Sequence, residues 1–266
     1  MTVTKPSIWG TAKTLWSVRL VLKHAGLALA VFLLSLVWIR LPDASVMDVI
    51  GTALLAVLIV LIAGAGESGM ILRLCGKARD PRRLLVGTAV LLVGIAMWLG
   101  WSAWIDHLTG GNDQLGGYLN SRLPHGMRNF FSYPHIVTCL SWVETAAVWI
   151  GAGALGLAVV AVTASARPLR AMAVGFRSMS YWVVVIVGAT GAAILTTSLL
   201  RWVPGRTLRV EMMSLIARLA VVILVDVSVA ALVLAISAAC VRRSDAAYET
   251  PVGTPDASQE RTAEIP

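Results

Sequence analysis

Long apolar stretches alternate along the chain with short polar, basic or glycine-rich ones. Six of the apolar stretches, at 19–39, 46–72, 84–104, 136–164, 180–200 and 212–241, are long enough to cross a hydrocarbon core, which takes about 20 residues of helix. Lipid offers no partner to a backbone N–H or C=O, so such segments must close their hydrogen bonds internally, as helices do. The pattern predicts an all-α, polytopic membrane bundle of six transmembrane helices. The second, fourth and sixth stretches exceed the minimum and are expected to tilt or to extend past the bilayer.

Composition agrees with the pattern. The 266 residues are 58% hydrophobic and 14% charged, with a mean hydropathy of +0.80, whereas a soluble domain carries roughly 25% charge. So little charge cannot cover a water-soluble fold of this length. The net charge of +8 would suggest nucleic acid in a soluble protein. Here the distribution of the charges points elsewhere.

Of the 22 Lys and Arg, 15 fall in the N-terminal flank, the 73–83 and 165–179 connections and the C-terminal tail. The alternate connections hold six: Arg40, Arg122, Arg128, Arg201, Arg206 and Arg209. Basic residues stay in the cytosol during insertion, so both termini are expected to be cytoplasmic. The architecture is read as that of an inner (plasma) membrane protein. The first stretch, "AGLALAVFLLSLVWI", follows a long basic flank and precedes no A-x-A site, so it reads as a retained helix rather than a cleaved signal. Cys75, Cys139 and Cys240 show no C-x-x-C spacing and predict neither a structural disulfide nor a metal clip.

The membrane domain is expected to span 1–243. The segment 244–266, "SDAAYETPVGTPDASQERTAEIP", is polar and Pro-bearing and reads as a disordered cytoplasmic tail. In the 105–135 connection Gly110-Gly111 and Gly116-Gly117 mark turns, and the polar residues between them favour loop over helix. Small residues four apart (Ala65 and Gly69, Ala152 and Gly156, Gly188 and Ala192) let helix backbones approach closely. They read as packing inside the bundle, with homodimerisation as the alternative.

Charges inside spans carry most of the chemical information, because each costs at least ~2.5 kcal/mol near the bilayer centre. Matching depth at 1.5 Å per residue pairs Lys23 with Glu67 and Glu144 with Arg218 as ion pairs that fix helix register. Asp226, near the middle of "LAVVILVDVSVAALVLA", has no basic residue at its depth. Thr190 is the expected hydrogen-bond partner. If activity resides in the membrane, Asp226 is its first candidate.

The segment "RLPHGMRNFFSYPHIV" brings His125 and His135 close to Phe130, Phe131 and Tyr133. With Asp106 and His107 they lack the spacing of a compact ligand motif. Aromatic residues prefer the headgroup zone, so the stretch reads as an interfacial segment, with His125, Arg128, Arg206 and Arg209 as lipid contacts. No metal or other cofactor is expected.

The chain contains no nucleotide loop, nucleophile elbow or zinc-binding helix. The leading reading is a non-catalytic membrane component or scaffold subunit of a larger assembly. A small permease using the midplane Asp226 is the alternative, and an enzyme with an outer-face His/Asp site comes third. The expected partners are the lipid bilayer and a membrane protein or second copy, with no nucleic acid.

Overall fold

The computed structural model describes residues 7–41, 44–128, 130–202 and 207–249. Arg206 and the tail beyond 249 lie outside them. The described chain is helical, with no strand among those residues. A short helix, α1 (Ile8–Leu15), precedes the first long one, α2 (Val18–Ile39). Then come α3 (Val46–Leu74), α4 (Pro81–Thr109), α5 (Asn112–Arg122), α6 (His125–Arg128) and α7 (Tyr133–Ala164). After α8 (Pro168–Phe176), the segment Met179–Arg201 is built of α9 (Met179–Val183), a π-helical turn (Val184–Gly188) and α10 (Ala189–Arg201). The last helix, α11, runs from Leu208 to Glu249. Among the described residues, α2, α3, α4, α7, the segment Met179–Arg201 and α11 are long and apolar enough to cross a membrane. The molecule fits a multi-pass membrane protein, as the apolar pattern predicts.

Local sequence sets the helix boundaries. Ser17, Ser45 and Ser178 accept a backbone N–H from the first turn of α2, α3 and α9, and Asp80 does so ahead of Pro81 in α4. These are the donors an α-helix leaves unpaired at its start. At the end of α3, Gly76 turns left-handed with φ 71°. Lys77 N–H there donates to Leu72 O and Gly76 N–H to Arg73 O, a Schellman closure that favours glycine.

Buried residues concentrate where α1, the α3–α4 turn, α8 and the end of α11 meet, which we call the basic end. Leu72, Leu157, Ala161, Tyr181, Ile236 and Val241 are among the most deeply enclosed. The packing there depends on missing side chains. A Cβ on Gly87 would press on Ser68 and Thr163, one on Gly153 would press on Val185, and one on Gly175 would collide with Leu157. Tyr181 adds a hydrogen bond, its hydroxyl donating to Gly153 O at 2.6 Å.

Toward the opposite, far end the helices form three pairs, each tied within itself. Trp38 donates to Thr52 O at 3.0 Å between α2 and α3. Trp101 donates to Ala147 O at 3.0 Å between α4 and α7. Arg218 donates to Leu199 O at 3.0 Å between α11 and α10. The apolar side chains of these pairs, such as Leu29, Phe32, Leu54, Leu58, Ile216 and Ile223, are largely exposed, as lipid contact requires.

Three expectations are corrected. The stretch between the glycine pairs forms α5 rather than loop. Gly116 is buried there, and a Cβ would press on Val137, so Gly116 serves close packing on α7. The amphipathic α1, read only as a basic flank, buries Ile8 and Ala12 against Tyr181, Ile236 and Cys240. The first residues of the expected tail, 244–249, continue α11 as helix. Asp245 secures them, pairing with Lys77 at 2.9 Å and accepting from Ser165 at 2.9 Å.

Removing the hydroxyl in Tyr181→Phe is expected to lower stability by about 1 kcal/mol, measured as an earlier thermal unfolding midpoint in detergent. Cys75, just past α3, is buried, and burial pushes its thiol from about 9 up to about 12. In the folded protein it should resist maleimide at pH 8 and react after unfolding in SDS. Because the unfolded thiol ionises first, its contribution to stability holds below pH 9 and falls as pH rises toward 12.

Candidate functional site

The three helix pairs part above the packed basic end and leave an intramembrane cavity of about 650 Å³. Its walls come from α2, α3, α7, α10, α11 and the π-turn. Most of its lining is small or aliphatic, including Ala152, Gly156, Ala189, Ala192, Ala230 and Val233. Polar groups reach it from opposite sides: His24 and Glu67 from α2 and α3, Thr196, Thr197 and Asp226 from α10 and α11. Trp149 also lines this space. Among the described residues no Lys or Arg lines it. Gly156 faces open space, with nothing within 4 Å of where its Cβ would stand.

Glu67 lies about 10 Å from the basic end of α3 along the helix axis. Its Oε1 is 3.3 Å from His24 Nδ1, near enough for an ion pair, but the ring nitrogen is not aligned as a hydrogen bond. Glu67 also borders a neighbouring space of about 300 Å³ that shares Trp149, Ala152 and Gly156. Trp98 stacks on Trp149 there, with centroids 6.4 Å apart, and its indole N–H is buried without an acceptor among the described residues.

Nearer the far end, Thr196 Oγ1 donates to Asp226 Oδ1 at 3.3 Å and stands 3.5 Å from Oδ2. Both contacts are long for a hydroxyl on a carboxylate. Asp226 is exposed and lies on the open side of the cavity. The π-turn contributes Val185 to the cavity wall, and Ala189 follows it at the start of α10. Single π-turns inside helices are frequent at functional sites.

The partners that depth matching assigns are not the ones the structure pairs. Glu67 meets His24, not Lys23. Adjacent residues on a helix point about 100° apart, and it is His24 that lines the cavity while Lys23 lines a separate cleft. Glu144 accepts from Asn112 Nδ2 at 3.1 Å, fixing the start of α5 on α7. Arg218 does not reach Glu144. Its guanidinium donates to Leu199 O, Trp202 O and its own Ser214 O, filling carbonyls left open at the end of α10.

Asp226 meets Thr196 in place of Thr190, whose hydroxyl is buried without a partner. Gly188 faces Val229 and Arg218 reaches Leu199, which puts Asp226 level with residues near 191. Side chains lean toward the N-terminus of their own helix. In antiparallel neighbours Asp226 and Thr196 therefore lean together, whereas Thr190 leans away.

At the far end His125 and Arg209 are exposed, as lipid contacts would be. Arg128 instead donates to Leu123 O at 2.9 Å and Ser121 O at 2.8 Å, closing the end of α5. His135 Nδ1 lies 2.8 Å from Ser132 Oγ. Among the described residues no three His, Cys, Asp or Glu side chains converge as metal ligands would, and Asp106, His107, His125 and His135 form no shared site.

Sequence reasoning found Glu67 and Asp226 as intramembrane acids but not that one cavity joins them. Ala152, Gly156 and Ala192 read as packing and instead line empty space. Comparison of the chain with protein-family models, curated proteins and solved structures finds no match.

Replacing His24 by Leu should remove the polar neighbour of Glu67 and cost about 1–3 kcal/mol. Adding Glu67→Leu should recover part of that loss. A double-mutant cycle of thermal unfolding measures the coupling, expected to exceed ~0.5 kcal/mol.

Proposed function

We propose that this multi-pass membrane protein is a small permease for amphiphilic cations, with the 650 Å³ cavity as its substrate site. The observation that carries the reading is the cavity's chemistry. Its wall is small and aliphatic, its ionisable groups are two acids and a histidine, and no basic side chain competes for the acids. An apolar body fits the Ala/Gly wall, a positive centre is attracted to Glu67 or Asp226, and the Trp149 face adds a cation–π contact. A ligand site is commonly concave and mostly apolar, with a few converging polar groups. Ionisable residues facing a membrane cavity are typical of ion, proton and substrate paths.

In this reading His24 and Glu67 exchange a proton as the substrate enters and leaves, and Asp226 receives the cation nearer the far end. The three helix pairs would move about the packed basic end, which supplies the fixed part of the bundle. The basic end faces the cytoplasm, following the distribution of Lys and Arg, and the protein resides in the inner membrane.

A second reading is that of a subunit in a larger assembly. Asp226 is exposed beside the apolar faces of Ile223 and Leu224. A partner helix carrying Lys or Arg at that depth would neutralise Asp226 as it fills the open side.

Uptake of tetraphenylphosphonium into proteoliposomes under a proton gradient separates the two. The permease reading expects uptake above protein-free vesicles. Asp226→Asn or Glu67→Gln should cut it roughly tenfold, a loss of about 1.4 kcal/mol in cation affinity. Gly156→Leu, which grows into open space, should block it while leaving the unfolding free energy within about 1 kcal/mol of wild type. No uptake by the wild type, with a basic single-span protein copurifying, would replace this reading with the second.

A further inference from the structure

A second cleft, of about 230 Å³, opens at the basic end on the other side of α2 from the cavity. It lies between the α1–α2 junction and the α3–α4 turn. Arg19 and Lys23 line it from α2, and Arg73 and Arg79 from the end of α3 and the turn beyond. Each of Arg19, Arg73 and Arg79 is close enough to act electrostatically on Lys23. Among the described residues none of the four has a carboxylate within ion-pair distance. The nearby carboxylates are engaged elsewhere: Glu67 stands 3.3 Å from His24, Asp245 pairs with Lys77, and Asp80 accepts from the Arg82 backbone N–H.

Four like charges held around one concavity repel one another, and an anion seated between them relieves that repulsion. The rim identifies the setting. Trp16, Val18 and Leu22, each next in sequence to a residue that lines the cleft, are exposed, indole rings settle at headgroup depth, and Val18 and Leu22 begin the apolar surface of α2. An anion in this cleft thus lies level with lipid phosphates, with an acyl-chain surface directly adjoining it. Basic pockets between transmembrane helices bind anionic headgroups in this way.

We propose that the cleft formed by Arg19, Lys23, Arg73 and Arg79 is a binding site for a phosphate-bearing anion, supplied by the headgroup of an anionic phospholipid. The site is independent of the cavity's function, because Lys23 and His24 point to different faces of α2. Its occupant neutralises the basic cluster and seats α1 and the α3–α4 turn against the membrane surface.

Native mass spectrometry of the full chain released from detergent tests this, by titration with phosphatidylglycerol, with phosphatidylcholine and with inorganic phosphate. The wild type should retain phosphatidylglycerol over phosphatidylcholine. The exposed double variant Arg73→Gln/Arg79→Gln should weaken that retention about thirtyfold. The variant Arg82→Gln/Arg83→Gln, which removes equal charge from a neighbouring cleft, should retain it. If inorganic phosphate binds more tightly than phosphatidylglycerol and shows the same selective loss, the site stands with a soluble source for its anion. No preference for either anion in the wild type, or equal loss in both double variants, overturns the proposal. Should the first double variant not fold, Arg79→Gln alone gives the same comparison.

Discussion

The structure depends on how closely its helices approach one another at the basic end. Lipid tails are as apolar as leucine, so no hydrophobic effect gathers helices once they are in a bilayer. Van der Waals fit and hydrogen bonds must do it. Gly87, Gly153 and Gly175 each take the place where a side chain would strike a neighbouring helix. Ser68, Thr163 and Thr88 fill the adjoining space compactly, and Thr88 returns its hydroxyl to Leu84 O at 2.8 Å. The helix pairs are held in one body at this end, which lets them separate elsewhere. The cavity begins where this packing ends: Gly153 and Val185, in contact with each other, also stand in its wall.

The six helices were legible because their signal is local: lipid imposes one pattern on every span, and the sequence alone carries it. What was not legible depended on azimuth and on the tertiary surroundings. Depth matching placed Lys23, His24 and Glu67 near one level but could not tell which of two adjacent side chains faces α3. It placed Thr190 beside Asp226 by backbone level, where the lean of side chains selects Thr196. Glycine was ambiguous in the same way. Gly116 sits in a helix and not a turn, Gly153 is a contact, and Gly156, three residues on, faces empty space. Nothing in a single sequence distinguishes a glycine that admits a neighbour from one that leaves room for a ligand.

The ionisable groups inside the spans divide by how fully the protein satisfies them. Arg218 is saturated by carbonyls at a helix end and stacks over Trp202 at 5.6 Å. Glu144 holds the Asn112 side chain. Each closes a joint between helices: Arg218 meets carbonyls at the end of α10, and Glu144 holds the start of α5 on α7. Glu67 and Asp226 differ. One faces a histidine at 3.3 Å without a hydrogen bond's alignment, and the other leans on a single hydroxyl at 3.3 Å. A charge placed for stability alone would be expected to draw in more donors, because an unmet carboxylate in low dielectric is costly. The two under-satisfied acids are also the two acids that line the cavity. Incomplete satisfaction and shared exposure to one empty space, on opposite walls, are the two features on which the proposed substrate site rests.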